Sequence, residues 1–186
     1  GYPYFEYSLF IAEVVAKVNE ILFNEYMLKE SLPKEERIYL LTNIVSSLGN
    51  SLFSQMLLTE FENAIIKEKE KNQTVTAETI NQIYLQIFTK YHQEGVVIDD
   101  MIKFSWTKIP HLFMNQAYYF YQYTIGTALA ITIAHKLKNK NYQQKYLDFL
   151  KIGNTMSIKE SLEFLDINLE NEEYMELAYQ YFDEQI

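Results

Sequence analysis

Apolar residues recur every three or four positions along most of this 186-residue chain, which is the period of an amphipathic helix. The first such run predicts a helix from Phe5 to Lys29. Helix caps and breakers divide the remaining runs into predicted helices. These cover Lys34 to Lys71 (loosening at Ser46–Gly49), Thr76 to His92, a short segment from Asp99, Asn115 to Leu137, Asn141 to Ile152, Ser157 to Leu165, and Asn171 to the C-terminus.

The same pattern predicts hardly any structure other than helix. Residues 93–98 are predicted to form a loop, and no stretch alternates with period two for long enough to indicate a strand. We therefore expect an all-α fold, a multi-helical single domain of roughly seven helices over residues 1–186.

Composition supports helices and argues against several functions. The chain has only 5 Gly and 3 Pro, so it has few sites for sharp turns. Its net charge of -9 argues against binding to nucleic acid or to an anionic membrane, because both require a basic face. No apolar run approaches the roughly 20 residues that cross a bilayer. The absence of Cys rules out a thiolate metal site and suits a reducing compartment, so we expect a cytoplasmic protein.

No complete active site of a recognisable type is present in the sequence. The histidines His92, His111 and His135 form no H-x-x-x-H pair, and there is no Cys nucleophile or phosphate-binding glycine loop. The chain also starts at Gly1 rather than at Met. That start indicates an origin inside a longer protein, although a processed terminus would look the same.

Two carboxylates interrupt the apolar first helix. Glu13 and Glu20 are seven residues apart, about two turns, so they project from nearly the same face. A carboxylate among apolar neighbours needs a partner, since burying an unpaired charge costs several kcal/mol. The partner of Glu13 could be a metal ion or a basic side chain. Alternatively, Glu13 is solvated or paired with Lys17, one turn further on.

A second group of polar side chains is aromatic. Trp106-Thr107-Lys108-Ile109-Pro110-His111 is followed by Tyr118-Tyr119-Phe120-Tyr121-Gln122-Tyr123. On the predicted helix, Tyr118 and Tyr121 share one face, and Tyr119 and Tyr123 share another. Such tyrosines either line a pocket and donate hydrogen bonds to a developing negative charge, or belong to an aromatic core with their hydroxyls at the surface.

Taken together and in order, these segments resemble the C-terminal region of oligoendopeptidase F, one of the thimet-oligopeptidase-like zinc peptidases. The family patterns are Y-S-x-F-x-A-E-V-A-S-T-x-N-E, Q-x-x-x-x-E-F-E, W-x-x-I-P-H-F-Y, F-Y-V-Y-x-Y-A-T-G and L-x-x-G-x-S-x-x-x-x-E-x-L. The matching segments of this chain are Tyr7–Glu20, Gln55–Glu62, Trp106–Phe113, Tyr118–Gly126 and Leu150–Leu162.

The resemblance implies both a fold and a set of roles. The fold would be the C-terminal part of a neurolysin-like helical zinc peptidase. Glu13 would be the third zinc ligand, and Glu20 would orient a ligand histidine. His111 and Tyr121, together with Tyr118, would stabilise the oxyanion of the tetrahedral intermediate.

In this family the two histidine ligands and the catalytic glutamate lie on an upstream HExxH helix that this chain lacks. The resemblance therefore implies one zinc ion in the intact enzyme, but neither zinc nor activity in this chain alone. The implied partners are short peptide substrates and either the N-terminal part of the same protein or a second copy of the chain.

Two departures from the family pattern stand beside the zinc ligand and the tyrosines. Val15 and Lys17 replace small and hydroxyl residues, and Lys17 could compete for the charge of Glu13. Thr124-Ile125 replaces the usual Ala-Thr. The alternative function from a different class is a non-catalytic helical interaction or scaffold module.

Overall fold

The computed structural model describes residues 8–71, 74–92, 96–114 and 118–186. Within these ranges the chain is helical and contains no strand, so the all-α expectation is confirmed. The α-helices are α1 (Leu9–Lys29), α2 (Lys34–Gly49), α3 (Gln55–Glu70), α4 (Ala77–Tyr91), α5 (His111–Met114), α6 (Tyr121–Lys136), α7 (Lys140–Ile152), α8 (Ile158–Phe164) and α9 (Glu173–Asp183). A π-helical segment (Asn50–Ser54) joins α2 to α3, and a 3₁₀ helix (Asp100–Lys108) precedes α5.

Several predicted helix ends are confirmed by their capping contacts. The Thr76 hydroxyl accepts a hydrogen bond from the Thr79 amide and starts α4. Ser157 and Glu160 form a reciprocal capping box at the start of α8. Gly153 ends α7 with a φ of 62°, a conformation that a residue with a Cβ adopts only at a cost. The predicted start of the first helix at Phe5 lies outside the described residues, as do 93–95 of the predicted loop.

The predicted second helix, Lys34 to Lys71, is interrupted. Directly after the expected loosening at Ser46–Gly49, the backbone changes to the π-helical segment, which has a wider turn. Leu52 and Leu57 lie five residues apart and are both buried. Leu52 belongs to one cluster of buried residues and Leu57 to another, so the chain passes from the first cluster to the second at this segment.

The helix predicted from Asn115 to Leu137 is wrong at its start. Residues 115–117 lie outside the described part of the chain, and 118–120 form a turn before α6 begins at Tyr121. Tyr118 has a φ of 62°, which is incompatible with a right-handed helix. The short helix α5 was not predicted either, because four residues carry no measurable periodicity.

Contacts divide the chain into two compact units. Unit 1 comprises residues 1–52 and 123–186. Its described part has a core built around α6, in which ten residues between Thr124 and Ala134 are buried, so this stretch of the helix is enclosed on every side. Val14 and Val18 of α1, Phe149 of α7 and Leu162 of α8 belong to the same core.

Unit 2 comprises residues 53–122. In this unit α4 packs against α3 and against the 3₁₀ helix. Phe61 of α3 meets Tyr84 of α4 edge to face, with the ring centroids 5.0 Å apart. Burial raises the pKa of the Tyr84 phenol, which stays protonated in this core. A single domain over 1–186 stays a prediction.

Candidate functional site

The two predicted carboxylates project from the exposed side of α1. The buried residues of α1 are Ile11, Val14, Val18 and Ile21, and they face the core of unit 1. Glu13 and Glu20 are both exposed and lie two helical turns apart, so they share a face that the core does not use. The apolar period of α1 thus presents these two carboxylates outward.

Of the alternatives for Glu13, solvation fits its exposed position, whereas pairing with Lys17 is not observed. The Lys17 ammonium donates to Glu20 Oε1 at 2.8 Å and to the Ser47 hydroxyl of α2 at 3.0 Å. The Lys17 side chain is only 18% exposed, and its ammonium is held between these two acceptors. Among the described residues, the Glu13 carboxylate has no hydrogen bond or ion pair.

A zinc site at Glu13 or Glu20 would need further ligand side chains close by. No group of three His, Cys, Asp or Glu side chains within the described ranges could hold a metal ion. Catalytic zinc needs about three protein ligands and an open position. Glu13 could supply one of these ligands, because its carboxylate is exposed and no described lysine, arginine or histidine pairs with it. It cannot form the site without ligands from elsewhere.

The predicted histidine lies in unit 2, at the end of a segment anchored by a tryptophan. The Trp106 indole N–H donates to the side-chain oxygen of buried Asn81 at 2.8 Å. The 3₁₀ helix then ends at Lys108, and Pro110 separates it from α5. His111 begins α5 and is exposed, so its ring is open to a ligand.

A strained turn precedes the tyrosines. Tyr118 has a φ of 62°, a left-handed conformation that costs a bulky residue about 1–3 kcal/mol. Its amide donates to Glu62 Oε1 at 2.7 Å, and the Tyr119 amide donates to Glu62 Oε2 at 3.2 Å. Successive amides that converge in this way form a binding site for an anion. Here the anion is the carboxylate of α3.

At this turn, the side chains of Tyr118 and Tyr121 are exposed to solvent. Tyr118 is 46% exposed and Tyr121 is 39% exposed, and neither hydroxyl makes a hydrogen bond within the described residues. The His111 and Tyr119 rings are parallel, with their centroids 6.0 Å apart. Because Tyr118 and Tyr119 precede α6, the prediction that they share helix faces with Tyr121 and Tyr123 is wrong.

The structure therefore places the predicted residues in two groups. His111, Tyr118 and Tyr121 belong to unit 2, whereas Glu13 and Glu20 belong to unit 1. The sequence presents Glu62 only as the last residue of the Gln55–Glu62 segment, and no motif predicts its contact with the turn. The available signal was a carboxylate directly beside Phe61, a core residue of α3. Within the described ranges, none of the helices has both the length and the hydropathy of a membrane span.

Comparison with known proteins adds an independent finding. The model of peptidase family M3 matches residues 2–181. The chain is 32% identical to oligopeptidase PepF of Bacillus subtilis and also 32% identical to the chromosomal oligoendopeptidase F of Lactococcus lactis subsp. cremoris. Both alignments cover 100% of the chain, and they cover 28% and 31% of the two relatives.

A solved structure shares the fold. The crystal structure of oligoendopeptidase-F from Enterococcus faecium matches with a TM-score of 0.83 and 28% identity. That match covers 95% of this chain and 34% of the other. The chain thus spans about a third or less of the length of the proteins it resembles.

Proposed function

This chain belongs to peptidase family M3, and we propose that it is part of a zinc-dependent metalloendopeptidase that hydrolyses peptide bonds in short peptides. The resemblance to oligoendopeptidase F is confirmed, because relatives of that name match the whole chain. In this proposal the chain contributes one zinc ligand and the groups that stabilise charge on the substrate. The two histidine ligands and the catalytic glutamate come from an HExxH helix elsewhere in the intact enzyme.

The observation that carries the proposal is the state of Glu13. It stands at the position that the motif gives to the third zinc ligand, and it is exposed and unpaired among the described residues. A carboxylate already paired with a lysine would have to give up that partner before it could bind a cation. Because Lys17 is occupied by Glu20 and Ser47, Glu13 can bind a metal at no such cost. When bound, zinc supplies Lewis-acid activation of water and of the peptide carbonyl.

Glu20 orients a ligand histidine in this proposal. Its Oε1 accepts from Lys17, and its Oε2 has no hydrogen bond within the described chain. That second oxygen can accept a ring N–H and fix both the tautomer and the orientation of an imidazole. The Lys17 contact would hold the Glu20 side chain in place for this purpose.

His111, Tyr121 and Tyr118 act on the substrate. As water attacks the scissile carbonyl, negative charge develops on its oxygen, and donors already in place stabilise that charge. The exposed phenol hydroxyls of Tyr118 and Tyr121 meet this requirement, because they have no hydrogen bond to give up among the described residues. The exposed ring of His111 can supply a further N–H donor to the same oxygen.

The remaining parts of the proposal concern substrate and location. The names of the relatives specify oligopeptides, and we carry short peptide substrates over to the intact enzyme. The N-terminal part of that enzyme, rather than nucleic acid or a membrane, is the expected partner of this chain. The absence of cysteine suits a reducing compartment, which supports the cytoplasm.

The test uses the intact enzyme and a short peptide with a fluorophore and a quencher. We expect hydrolysis that a zinc chelator abolishes and that added zinc restores, with roughly one zinc bound per molecule. The same cleavage sequence inside a folded protein should survive. If the zinc-loaded intact protein cuts no short peptide, the chain is instead a non-catalytic helical interaction module.

A further inference from the structure

Glu62 is a buried carboxylate to which the proposed mechanism assigns no role. It lies on α3 within unit 2 and is 7% exposed. A buried carboxylate is stable only when its oxygens are satisfied. Both oxygens of Glu62 accept backbone N–H groups, from Tyr118 at 2.7 Å and from Tyr119 at 3.2 Å.

These two hydrogen bonds occur together with the unusual conformation of Tyr118. In an extended chain successive N–H groups point to opposite sides, so one carboxylate cannot receive both. A left-handed residue turns the following N–H back to the same side. The positive φ of Tyr118 thus lets both N–H groups reach Glu62, and the two hydrogen bonds offset the strain of this conformation.

We call the contact of Glu62 with the Tyr118 and Tyr119 amides the clamp. Its position in the chain gives it a further effect. The residues it holds, 118 and 119, come directly before α6, which begins at Tyr121. The clamp sets the direction in which the Tyr118 side chain leaves the backbone and the point at which α6 starts. The positions of the Tyr118 and Tyr121 side chains, the two proposed donors, depend on that geometry.

We propose that Glu62 is a positioning residue, which fixes the Tyr118–Tyr119 turn so that the hydroxyls of Tyr118 and Tyr121 meet the substrate. The inference rests on the proposed function, since it assigns those hydroxyls to the oxyanion. Glu62 itself does not touch the substrate, because its carboxylate is buried and occupied by backbone amides.

The first test compares Glu62→Gln with Glu60→Gln in the intact enzyme. Gln keeps the size of Glu62 but turns one acceptor into an NH₂ group that faces a backbone N–H, so one hydrogen bond becomes a repulsion. We expect kcat to fall about 10- to 100-fold with KM within about threefold, the effect of a small misplacement of catalytic groups. Glu60 lies on the same helix and pairs with Lys90 at the surface at 2.8 Å. Its substitution should change kcat less than about threefold.

The second test separates positioning from a general loss of structure. Glu62→Gln is introduced into an enzyme that already carries Tyr118→Phe and Tyr121→Phe. If Glu62 acts through those hydroxyls, the added substitution costs less than about threefold, because the groups it positions are absent. An equal loss in kcat in both backgrounds would overturn the proposal, and so would full activity of Glu62→Gln in the otherwise unaltered enzyme.

Glu62→Asp provides the same test if the Gln variant does not fold. Asp keeps the charge and both oxygens but withdraws them by one methylene, so an intermediate loss in kcat is expected. That loss should again be absent from the enzyme that carries both tyrosine substitutions.

Amide hydrogen exchange supplies a readout that does not depend on activity. Tyr118 and Tyr119 should exchange faster in Glu62→Gln than in Glu60→Gln, and equal rates would refute the clamp. If the unaltered enzyme hydrolyses no peptide, the proposed function fails, while these exchange rates still decide whether Glu62 holds the turn.

Discussion

The Lys17 ammonium lies 2.8 Å from Glu20 Oε1, and its second acceptor is the Ser47 hydroxyl of α2. Glu13 is one turn from Lys17 in the other direction, so the sequence offers the lysine two carboxylates at helical spacing. The contact with Ser47 favours the side of Glu20. As a result, the carboxylate at the proposed ligand position has no ion pair with any residue that the structure describes.

Glu13→Gln in the intact enzyme should weaken zinc binding and lower activity at low zinc. An amide oxygen is a poorer ligand for zinc than a carboxylate, so added zinc should restore activity in part. Zinc titration of the metal-free enzyme, followed by peptide hydrolysis, measures both effects. Glu36→Gln, which alters another exposed helical carboxylate, is the control and should leave zinc affinity unchanged. Unchanged affinity in Glu13→Gln would remove Glu13 from the ligand set.

Tyr121→Phe should lower the turnover rate and leave substrate binding intact. Removing one oxyanion donor costs about 100- to 1000-fold in kcat, or roughly 2.7 to 4 kcal/mol, with KM nearly constant if the contact forms only in the transition state. Added zinc should not rescue this variant. Tyr39→Phe removes a more exposed hydroxyl from α2 and should keep full kcat. Full turnover by Tyr121→Phe would reduce the tyrosine cluster to packing.

Residues 1–186 expressed alone should bind no zinc tightly and hydrolyse no peptide. One carboxylate ligand cannot replace the roughly three that a catalytic zinc requires, and the general base is missing as well. Metal analysis after dialysis and a peptide assay test the two statements. A tightly bound zinc ion would reveal a ligand set other than the one proposed.

Gly126→Ala should be tolerated and should raise stability by up to about 1 kcal/mol, because Gly is a poor helix former. A Cβ at this position in α6 would lie 3.7 Å from Phe10 and 3.7 Å from Val14, which is ordinary van der Waals contact. The melting temperature of the variant measures the change. Gly126→Leu is the matched contrast and should destabilise, since the buried site has no room for a larger side chain. A lower melting temperature for Gly126→Ala would show that the site is more tightly packed than these distances indicate.

Alkaline pH should destabilise unit 1 through Tyr181. Burial, with the nearby charges of Glu25 and Glu184, raises the pKa of this phenol to about 12, above its ordinary value of 10.0. Between these two values the unfolded chain loses the proton and the native chain keeps it, so the contribution of Tyr181 to stability falls as pH rises from 10 towards 12. Below that range the contribution is constant.

Denaturant unfolding of the wild type and of Tyr181→Phe across this pH range measures the contribution. The difference in unfolding free energy between the two proteins should shift against the wild type as pH rises. A constant difference for Tyr181→Phe would mean that its native pKa is close to that of the unfolded chain.

Local sequence patterns determined most of the helices and part of the candidate site. Helical periodicity and capping residues act within about one turn, so they specified α4, α7 and α8 without help from distant residues. The two-turn spacing of Glu13 and Glu20 likewise predicted that both share one face of α1, and the structure shows that this face is exposed. These features depend on neighbours in the chain and can be predicted from it.

Tertiary structure alone decided the partners of the charged groups and the shape of the tyrosine segment. Lys17 has a carboxylate about one turn away in each direction along its own helix, Glu13 and Glu20. The hydroxyl of Ser47, which lies on another helix, favours the position beside Glu20. Glu62 lies 56 residues before Tyr118, yet it holds the turn that replaces the first part of the predicted helix. Leaving a buried carboxylate without hydrogen bonds costs more free energy than losing the first turn of a helix. No pattern within the tyrosine segment indicates that cost.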